Sequence, residues 1–527
     1  MSELTEQVEM HPQRWGDPAA AADLPDSARG LIELAFGLAD TPALEAVSVP
    51  PSALTDALLD PLRTALGPEH VRTDDETRRL RTRGKSTPDL LRARAGDLTD
   101  APDAVVRPGS HEEVAAVLAW AVEHHVAVVP FGGGTCVTGG LAARRDGFAG
   151  LVSHDLVRMK RLVSVDHESM TAVLVPGLRG PEAEALLAAE GVLLGHYPQS
   201  FEFATIGGFA ATRSSGQSSA GYGRFDVLVV GLRVATPRGE LRLGSAPANA
   251  AGPDLRQLFL GSEGAFGVIT EVTVRVRRLP ERKVYEGWRW ESFAAGADAM
   301  RTLAQSGLLP TVLRLSDEAE TAINLARPDE IGGESAGGCL MIVGYEGAPE
   351  AVAAKQTAVT ALLAGLGGTP AGEGPGEAWV HGRFNAPYLR DALLDVGVLV
   401  ETLETATFWS NREALYVGVK SALETTLGAG TLVLCHISHV YETGCSLYFT
   451  VAAKEAADPL PQWQAAKSAA NDAIVAAGAT ITHHHAVGTD HKPWLVHEIG
   501  ELGASVLRAV KADLDPTGVL NPGVLVP

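Results

Sequence analysis

Up to about residue 95, apolar residues recur at helical spacing among many arginines and aspartates, over 53–66 and 75–94. This predicts a mostly helical N-terminal region. Near Pro102 the pattern changes. AVVRP, HEEVAAVLAWAVEHH and VAVVPFGGG read in turn as strand, helix, and a strand running into a glycine turn. The helix carries an apolar stripe through Val114, Val117, Leu118 and Ala121. From about 151 to 280 short β runs dominate: MTAVLVPG, DVLVVGLRVATPRGE and GVITEVTVRVRRLP cluster Val, Ile and Thr between Gly and Pro breaks. After Pro280 a second region begins, with strands such as KVYEGWRW and CLMIVGYEG and a helix over 350–364. The Ala/Gly/Pro-rich stretch 365–378 reads as a loop, and the chain closes with a helix over 502–514 and then DPTGVLNPG. No internal repeat interrupts this order.

Composition narrows what these elements serve. A chain of 527 residues is too long for one core and should split into two or three domains. Hydrophobic residues make up 46% and charged residues 20%, which is a globular balance. The formal net charge of −21 repels phosphate backbones, so nucleic acid is not an expected partner. Four cysteines (Cys136, Cys339, Cys435, Cys445) form neither a disulfide framework nor a zinc-finger spacing, and they suggest a reducing, cytoplasmic compartment. The first residues lack the order of a signal peptide, and no apolar run reaches the roughly 18 residues of a membrane span. Peripheral contact with lipid stays open. The Ala- and Arg-rich composition looks bacterial.

The strongest local signal is Pro130, Phe131, Gly132, Gly133, Gly134, Thr135 and Cys136 after a buried strand. Three glycines there let successive backbone N–H groups turn inward as an anion nest. Taken alone, such a segment is an ordinary turn. Two more glycine segments follow: FATIGG running into AATRSSG (203–216), and GSEGAFGVI (261–269). Their glycines allow close approach to a flat ligand, and their hydroxyls offer donors to phosphate and ring edges. No G-x-G-x-x-G stands between a strand and a helix, which argues against a Rossmann site. Gly84, Lys85 and Ser86 imitate the end of a P-loop, but position 79 is Arg, so this piece reads as a surface turn.

PFGGGTC, ATIGG, TRSSG, GSEGAFGVIT and the closing DPTGVLNPG occur in the order and approximate spacing of the vanillyl-alcohol oxidase / p-cresol methylhydroxylase class of FAD proteins, which this chain resembles. The resemblance implies an α+β fold. A helical N-terminal region (1–95) precedes an FAD-binding domain of two α+β subdomains (96–282). An antiparallel-sheet cap or substrate domain (283–475) follows, and a C-terminal segment (476–527) returns to the flavin. It further implies that 130–136 cradles the pyrophosphate. Gln199, Ser200, Phe203, Thr205, Gly207, Gly208, Thr212, Arg213, Ser214 and Ser215 would approach the ribityl chain and flavin. Glu263, Gly264, Ala265, Phe266, Gly267, Val268 and Ile269 would approach the pyrimidine and adenine side. Some relatives attach FAD through a His or Cys of the first loop. Thr135 cannot make that bond, so non-covalent FAD is expected, with Cys136 the one residue that bears watching.

The most conspicuous polar cluster is Thr482, His483, His484 and His485, followed by Ala486-Val487-Gly488. In an extended segment His483 and His485 face one side and His484 the other. A solvated run and a metal site compete with a role at the flavin. No carboxylate or cysteine stands at a recognisable ligand spacing, so no metal is expected. Histidine titrates near neutral pH and suits a base or a phosphate donor.

This cluster resembles the triple-His motif of the alkyldihydroxyacetonephosphate synthase family. With it go Arg314 in TVLRLSD, Arg390 in APYLRD, the run ETATFW (404–409), Tyr448 in CSLYFT and the N-terminal Arg14-Trp15-Gly16. The resemblance implies that Arg390 and Arg314 bind substrate phosphate, as an arginine fork suits a dianion. It implies Tyr448 and the three histidines as catalytic groups, able to move a proton beside a carbonyl. It also implies a reaction without net redox change. The acyl group of acyl-dihydroxyacetone phosphate is exchanged for a long-chain alcohol through a flavin N5 adduct, in ether-lipid synthesis, and the enzyme is expected as a homodimer. Departures are Ala486 where the family has Gly, Asp490-His491 in place of a more basic pair, and no peroxisomal address at either end. The alternative is a flavin oxidase or dehydrogenase of a 2-hydroxy acid, whose Gly-Glu-His-Gly is not found here. A non-enzymatic nucleotide-binding scaffold leaves the polar residues unexplained.

Overall fold

Ser110 accepts from the Glu113 N–H at 3.2 Å, and Glu113 accepts in return from Gly109 at 2.7 Å. This start fixes the helix His111–His124, which ends on His125 in the left-handed region. The stripe Val114, Val117, Leu118 and Ala121 is buried throughout. It packs against a four-stranded sheet in the order Val71–Arg72, Ala104–Val106, Leu151–Asp155, Ala127–Phe131. The last three of these strands are parallel. Such parallel pairs need a crossover, and this helix supplies one. The computed structural model describes residues 7–527 apart from 22, 25, 45–46 and 324–336.

The second subdomain is a five-stranded antiparallel sheet in the order Leu162–Asp166, Thr171–Leu174, Val268–Arg275, Val229–Thr236, Gly239–Leu243. Its core holds Phe209, Phe225, Phe259 and Phe266. The third unit is a seven-stranded sheet in the order Thr369–Gly372, Arg282–Trp290, Cys339–Gly347, Val312–Ser316, Leu432–Ile437, Gly444–Lys454, Val398–Phe408. All its pairings are antiparallel, and helices such as Phe293–Gln305 and Arg412–Leu427 share its core. The chain is therefore α+β, with two smaller sheet subdomains and a larger antiparallel unit, the cap expected from the sequence.

Three sequence readings change. The stretch 365–378 is not a loop. Thr369–Gly372 pairs at the edge of the cap sheet, where Pro370 is tolerated, and Pro375 sits in the first turn of the helix Gly374–Gly382. The region 75–94 is two helices, Asp75–Leu80 and Thr87–Arg94, and Gly84, Lys85 and Ser86 between them are buried rather than at the surface. Lys85 donates its N–H to the Cys136 carbonyl at 2.7 Å, and a Cβ on Gly84 would overlap that same carbonyl, so the segment lies against the glycine loop. The helix read over 502–514 is preceded by another that begins at Lys492, the two meeting at a kink where Gly500 (φ 71°) leaves the helical conformation.

The C-terminus closes the site. Val128 donates to Val519 O, Asn521 donates to Val128 O, and the Asn521 amide reaches Gly140 O (2.9 Å) and Glu263 O (2.7 Å). One side chain thus ties the first and third glycine segments together.

Candidate active site

The glycine loop packs directly on the second glycine segment. A Cβ on Gly132 would overlap Thr205 Oγ1, and one on Gly133 would overlap the Phe203 carbonyl. Thr205 caps the helix Ile206–Thr212 by accepting from Gly208 N at 3.2 Å. Glu263 of the third segment is buried and accepts from Val487 N (3.1 Å) and Gly488 N (2.9 Å). Burial raises its carboxyl to about 7. Gly140 donates to Cys136 Sγ at 3.1 Å, and burial pushes that thiol up to about 12.

These segments line one side of a cavity of about 500 Å³. Of the residues singled out in the sequence, 130–136, Gln199, Ser200, Thr205, Gly207, Gly208, Thr212, Ser214, Ser215, Glu263, Gly264, Gly267, Val268, Ile269, Arg314, Arg390, Tyr448, His484 and His485 all face it. Five do not. Phe203 packs edge-on to Trp15, and Arg213 donates to Leu260 O at 2.9 Å. Ala265 and Phe266 belong to the subdomain core. His483 bonds to Tyr441 Oη through Nε2 at 2.7 Å.

The histidine run is not extended, so the expected alternation fails. Glu404, fully buried on the strand Val398–Phe408, accepts the consecutive N–H groups of His483 (2.8 Å), His484 (3.0 Å) and His485 (2.9 Å), and the Thr482 hydroxyl (2.6 Å). Wrapping three successive amides around one carboxylate curls the backbone and puts His484 and His485 on the same side. Burial alone would raise Glu404, but His484 above all, with His485 and His483, holds it well below the usual carboxylate range. His439, which no sequence spacing signalled, completes the group. Its Nδ1 meets Ser215 Oγ at 3.1 Å, and its ring stacks on His483. The ring nitrogens of His439, His483 and His484 lie within 4.8 Å of one another. His483 and His484 share a hydrogen bond between their Nδ1 atoms at 3.0 Å.

Burial lowers His485 to about 3 and raises Tyr448 to about 12, so at neutral pH the first is a neutral imidazole and the second a protonated phenol. Arg390 donates through Nη1 to Lys85 O at 2.7 Å, while its Nη2 has no hydrogen-bond partner among the described residues. Lys85 also lines the cavity, lowered to about 8 by burial. Arg314, by contrast, is tied to buried Glu320 at 2.5 Å. The far wall is apolar: Leu31, Ile32, Ala35 and Phe36 of the helix Asp26–Phe36, with Leu389, Val398, Val400, Leu432 and Leu434.

The family models for the FAD binding domain (residues 102–244) and for the C-terminal domain of FAD linked oxidases (279–525) match the chain, which makes it a flavoprotein of the FAD-linked oxidase type. It is 34% identical to alkyldihydroxyacetonephosphate synthase of Dictyostelium discoideum, over 93% of this chain and 84% of the relative. The same-named protein of Caenorhabditis elegans is 30% identical, over 85% of this chain and 80% of the relative. A solved alkyldihydroxyacetonephosphate synthase superposes with a TM-score of 0.83 at 32% identity, covering 98% of both chains. p-Cresol methylhydroxylase shares the fold, with a TM-score of 0.69 at 16% identity over 90% of this chain and 98% of that one. The chain belongs to the alkyldihydroxyacetonephosphate synthase family and is an FAD-dependent enzyme.

The cavity fits FAD. The glycine loop opens onto it, and Gln199 on its wall has a buried Nε2 with no partner among the described residues, a donor free for a ligand acceptor. Among the described residues no helix is long and apolar enough to cross a membrane.

Proposed function

We propose that this enzyme exchanges the acyl group of acyl-dihydroxyacetone phosphate for a long-chain alcohol. The observation that carries this reading is the make-up of one cavity. A glycine loop for FAD, an arginine with a free donor edge and an apolar channel meet at Tyr448 and His485. FAD, when bound, supplies a nucleophilic ring nitrogen. The chain supplies the rest. Arg390, its Nη1 anchored on the Lys85 carbonyl, holds the phosphate dianion through Nη2. The neutral His485 accepts a proton from the carbon beside the ketone, and the Tyr448 hydroxyl can donate one. His483 does not face the cavity and positions its neighbours through Tyr441 and His484. Arg314 gives its Nη2 to Glu320, whereas Arg390, whose Nε lies 3.5 Å from Asp391, keeps Nη2 open, so the phosphate role falls to Arg390.

FAD is held without a covalent bond, because a thiol raised to about 12 is not the thiolate an attachment needs. The apolar wall takes the acyl or alkyl chain. Leu34, 86% exposed on the cavity-lining helix Asp26–Phe36, supports peripheral contact with lipid. The test is anaerobic incubation of the holoenzyme with palmitoyl-dihydroxyacetone phosphate and hexadecanol. Release of palmitate with formation of the ether phosphate is expected, and Arg390→Ala should raise KM for the phosphorylated substrate by at least about tenfold. An enzyme that ignores this substrate but whose flavin is bleached by a 2-hydroxy acid would overturn the proposal.

A further inference from the structure

Three cap strands run side by side, and their register sorts the cavity wall by polarity. Leu432 pairs with Ala452, Leu434 with Thr450, and His436 with Tyr448. On the other side Val400 pairs with Ala452, Thr402 with Thr450, and Glu404 with Tyr448. Alternate residues share a face, so Leu432, Leu434 and His436 all point into the cavity. A chain lying along Val398, Val400, Leu432 and Ala452 therefore ends, about 13 Å further on, at His436 and Tyr448.

His436 is not a free-turning side chain. Its Nδ1 lies 3.0 Å from Oε2 of Glu320, which is buried, and 3.0 Å from Arg314 Nη2. Arg314 already donates to Glu320 Oε1 at 2.5 Å. A bare Nδ1 could accept from Arg314 but would set its lone pair against the Glu320 carboxylate. Arg314 already has Glu320 Oε1 as its acceptor, so we assign the proton to Nδ1, which then donates to Glu320 Oε2 and makes no hydrogen bond with Arg314. The other nitrogen, Nε2, is then an acceptor, and it makes no hydrogen bond to any described residue. The ring is clamped from below by Tyr448, stacked at 4.7 Å and 18°. A carboxylate that orients an imidazole and leaves its second nitrogen facing the substrate is the arrangement of a general base.

We propose that His436 is the base for the incoming alcohol, with Glu320 as its positioning residue. This rests on the alkyl-exchange reading above. A fatty alcohol seated in the apolar stripe presents its hydroxyl to Nε2. Its O–H bond breaks, the proton goes to Nε2, and the oxygen's electron pair forms the C–O bond to the carbon that the acyl carboxylate has left with its own bonding pair. His436 passes the proton to solvent, so ester and alcohol become ether, carboxylate and a proton. No oxidant is consumed. The charged and titratable groups that face the ring are Glu320, Arg314, Tyr448 and His484. Burial, then Arg314, keep the ring neutral and ready to accept.

The experiment separates the two halves of the exchange on the holoenzyme: palmitate release is read as a single-turnover burst without alcohol, and ether formation as turnover with hexadecanol. His436→Asn keeps a donor towards Glu320 and removes the open nitrogen together with the ring face stacked on Tyr448, and Glu320→Gln serves as the variant that leaves that stack in place. His436→Asn should slow ether formation at least about 100-fold while palmitate release stays within about threefold. Glu320→Gln should keep palmitate release and shift the acid limb of ether formation. On the wild type itself, ether formation should lose activity as pH falls through a single-proton limb that palmitate release lacks. Wild-type rates of ether formation in His436→Asn, equal loss of both halves, or a wild-type profile without that limb would overturn the assignment of His436 alone. A wild-type enzyme inert towards acyl-dihydroxyacetone phosphate would overturn the exchange reading and the assignment with it.

Discussion

Replacing Glu404 by Gln removes one charge and turns one acceptor oxygen into an amide NH2. Oε1 accepts from Thr482 Oγ1, His484 N and His485 N, and Oε2 accepts from His483 N and lies 3.3 Å from His484 Nδ1. An amide can serve only one of these sides. Leaving the buried His483 N–H against another donor costs about 1–3 kcal/mol, and losing charge assistance on the remaining bonds adds about 1 kcal/mol. A total near 2–4 kcal/mol corresponds to a fall of roughly 5–12 °C in melting midpoint for a unit of this size. Flavin-fluorescence melting at pH 7 measures it. Glu404 is held below its unfolded value, so its contribution is fully present above about pH 4.5 and is lost as pH falls through the native value. The gap between wild type and variant should therefore be flat from pH 6 to 8 and close only in acid. A gap under about 0.5 kcal/mol at pH 7 would refute the idea that this carboxylate curls the histidine segment.

Three further outcomes are expected. Gly133→Ala should lose most of its bound FAD when purified, measured by the flavin-to-protein absorbance ratio, because its Cβ overlaps the Phe203 carbonyl. Acid precipitation should leave all the flavin in the supernatant, and Cys136→Ser should keep a wild-type flavin content; flavin remaining on the pellet would contradict the protonated thiol. Glu263, raised to about 7 by burial, contributes stability that is full below about pH 4.5 and is lost as pH rises through 7. Glu263→Gln should flatten that part of the melting-midpoint profile, and an unchanged slope would refute it.

Much of the framework was legible because it is local. The helix at 111–124 follows from its cap and stripe, and the glycine segments from conformations and close approaches that side chains would block. The residues facing the cavity were found mostly through motifs carried by short runs. Other features were not local. The turn-like Gly84, Lys85 and Ser86 became buried because the Cys136 loop, fifty residues on, takes the Lys85 amide. His484 and His485 share a side because Glu404, about eighty residues earlier, collects their amides. Periodicity describes only a backbone whose N–H groups are satisfied by its own element, and here a distant carboxylate satisfied them. Arg314 and Arg390 looked alike in sequence, and each meets a buried carboxylate, Glu320 and Asp391, but Glu320 takes Nη2 of the first while Nη2 of the second is left open. His436 and His439 carried no signal, since their partners Glu320 and Ser215 lie 116 and 224 residues away. The sequence by itself determined which segments can turn tightly, bury a face or approach a flat ligand. The tertiary structure alone decided which charges are paired, which nitrogen of a histidine is open, and which side chains meet, because those depend on groups far apart in the chain sharing one desolvated space.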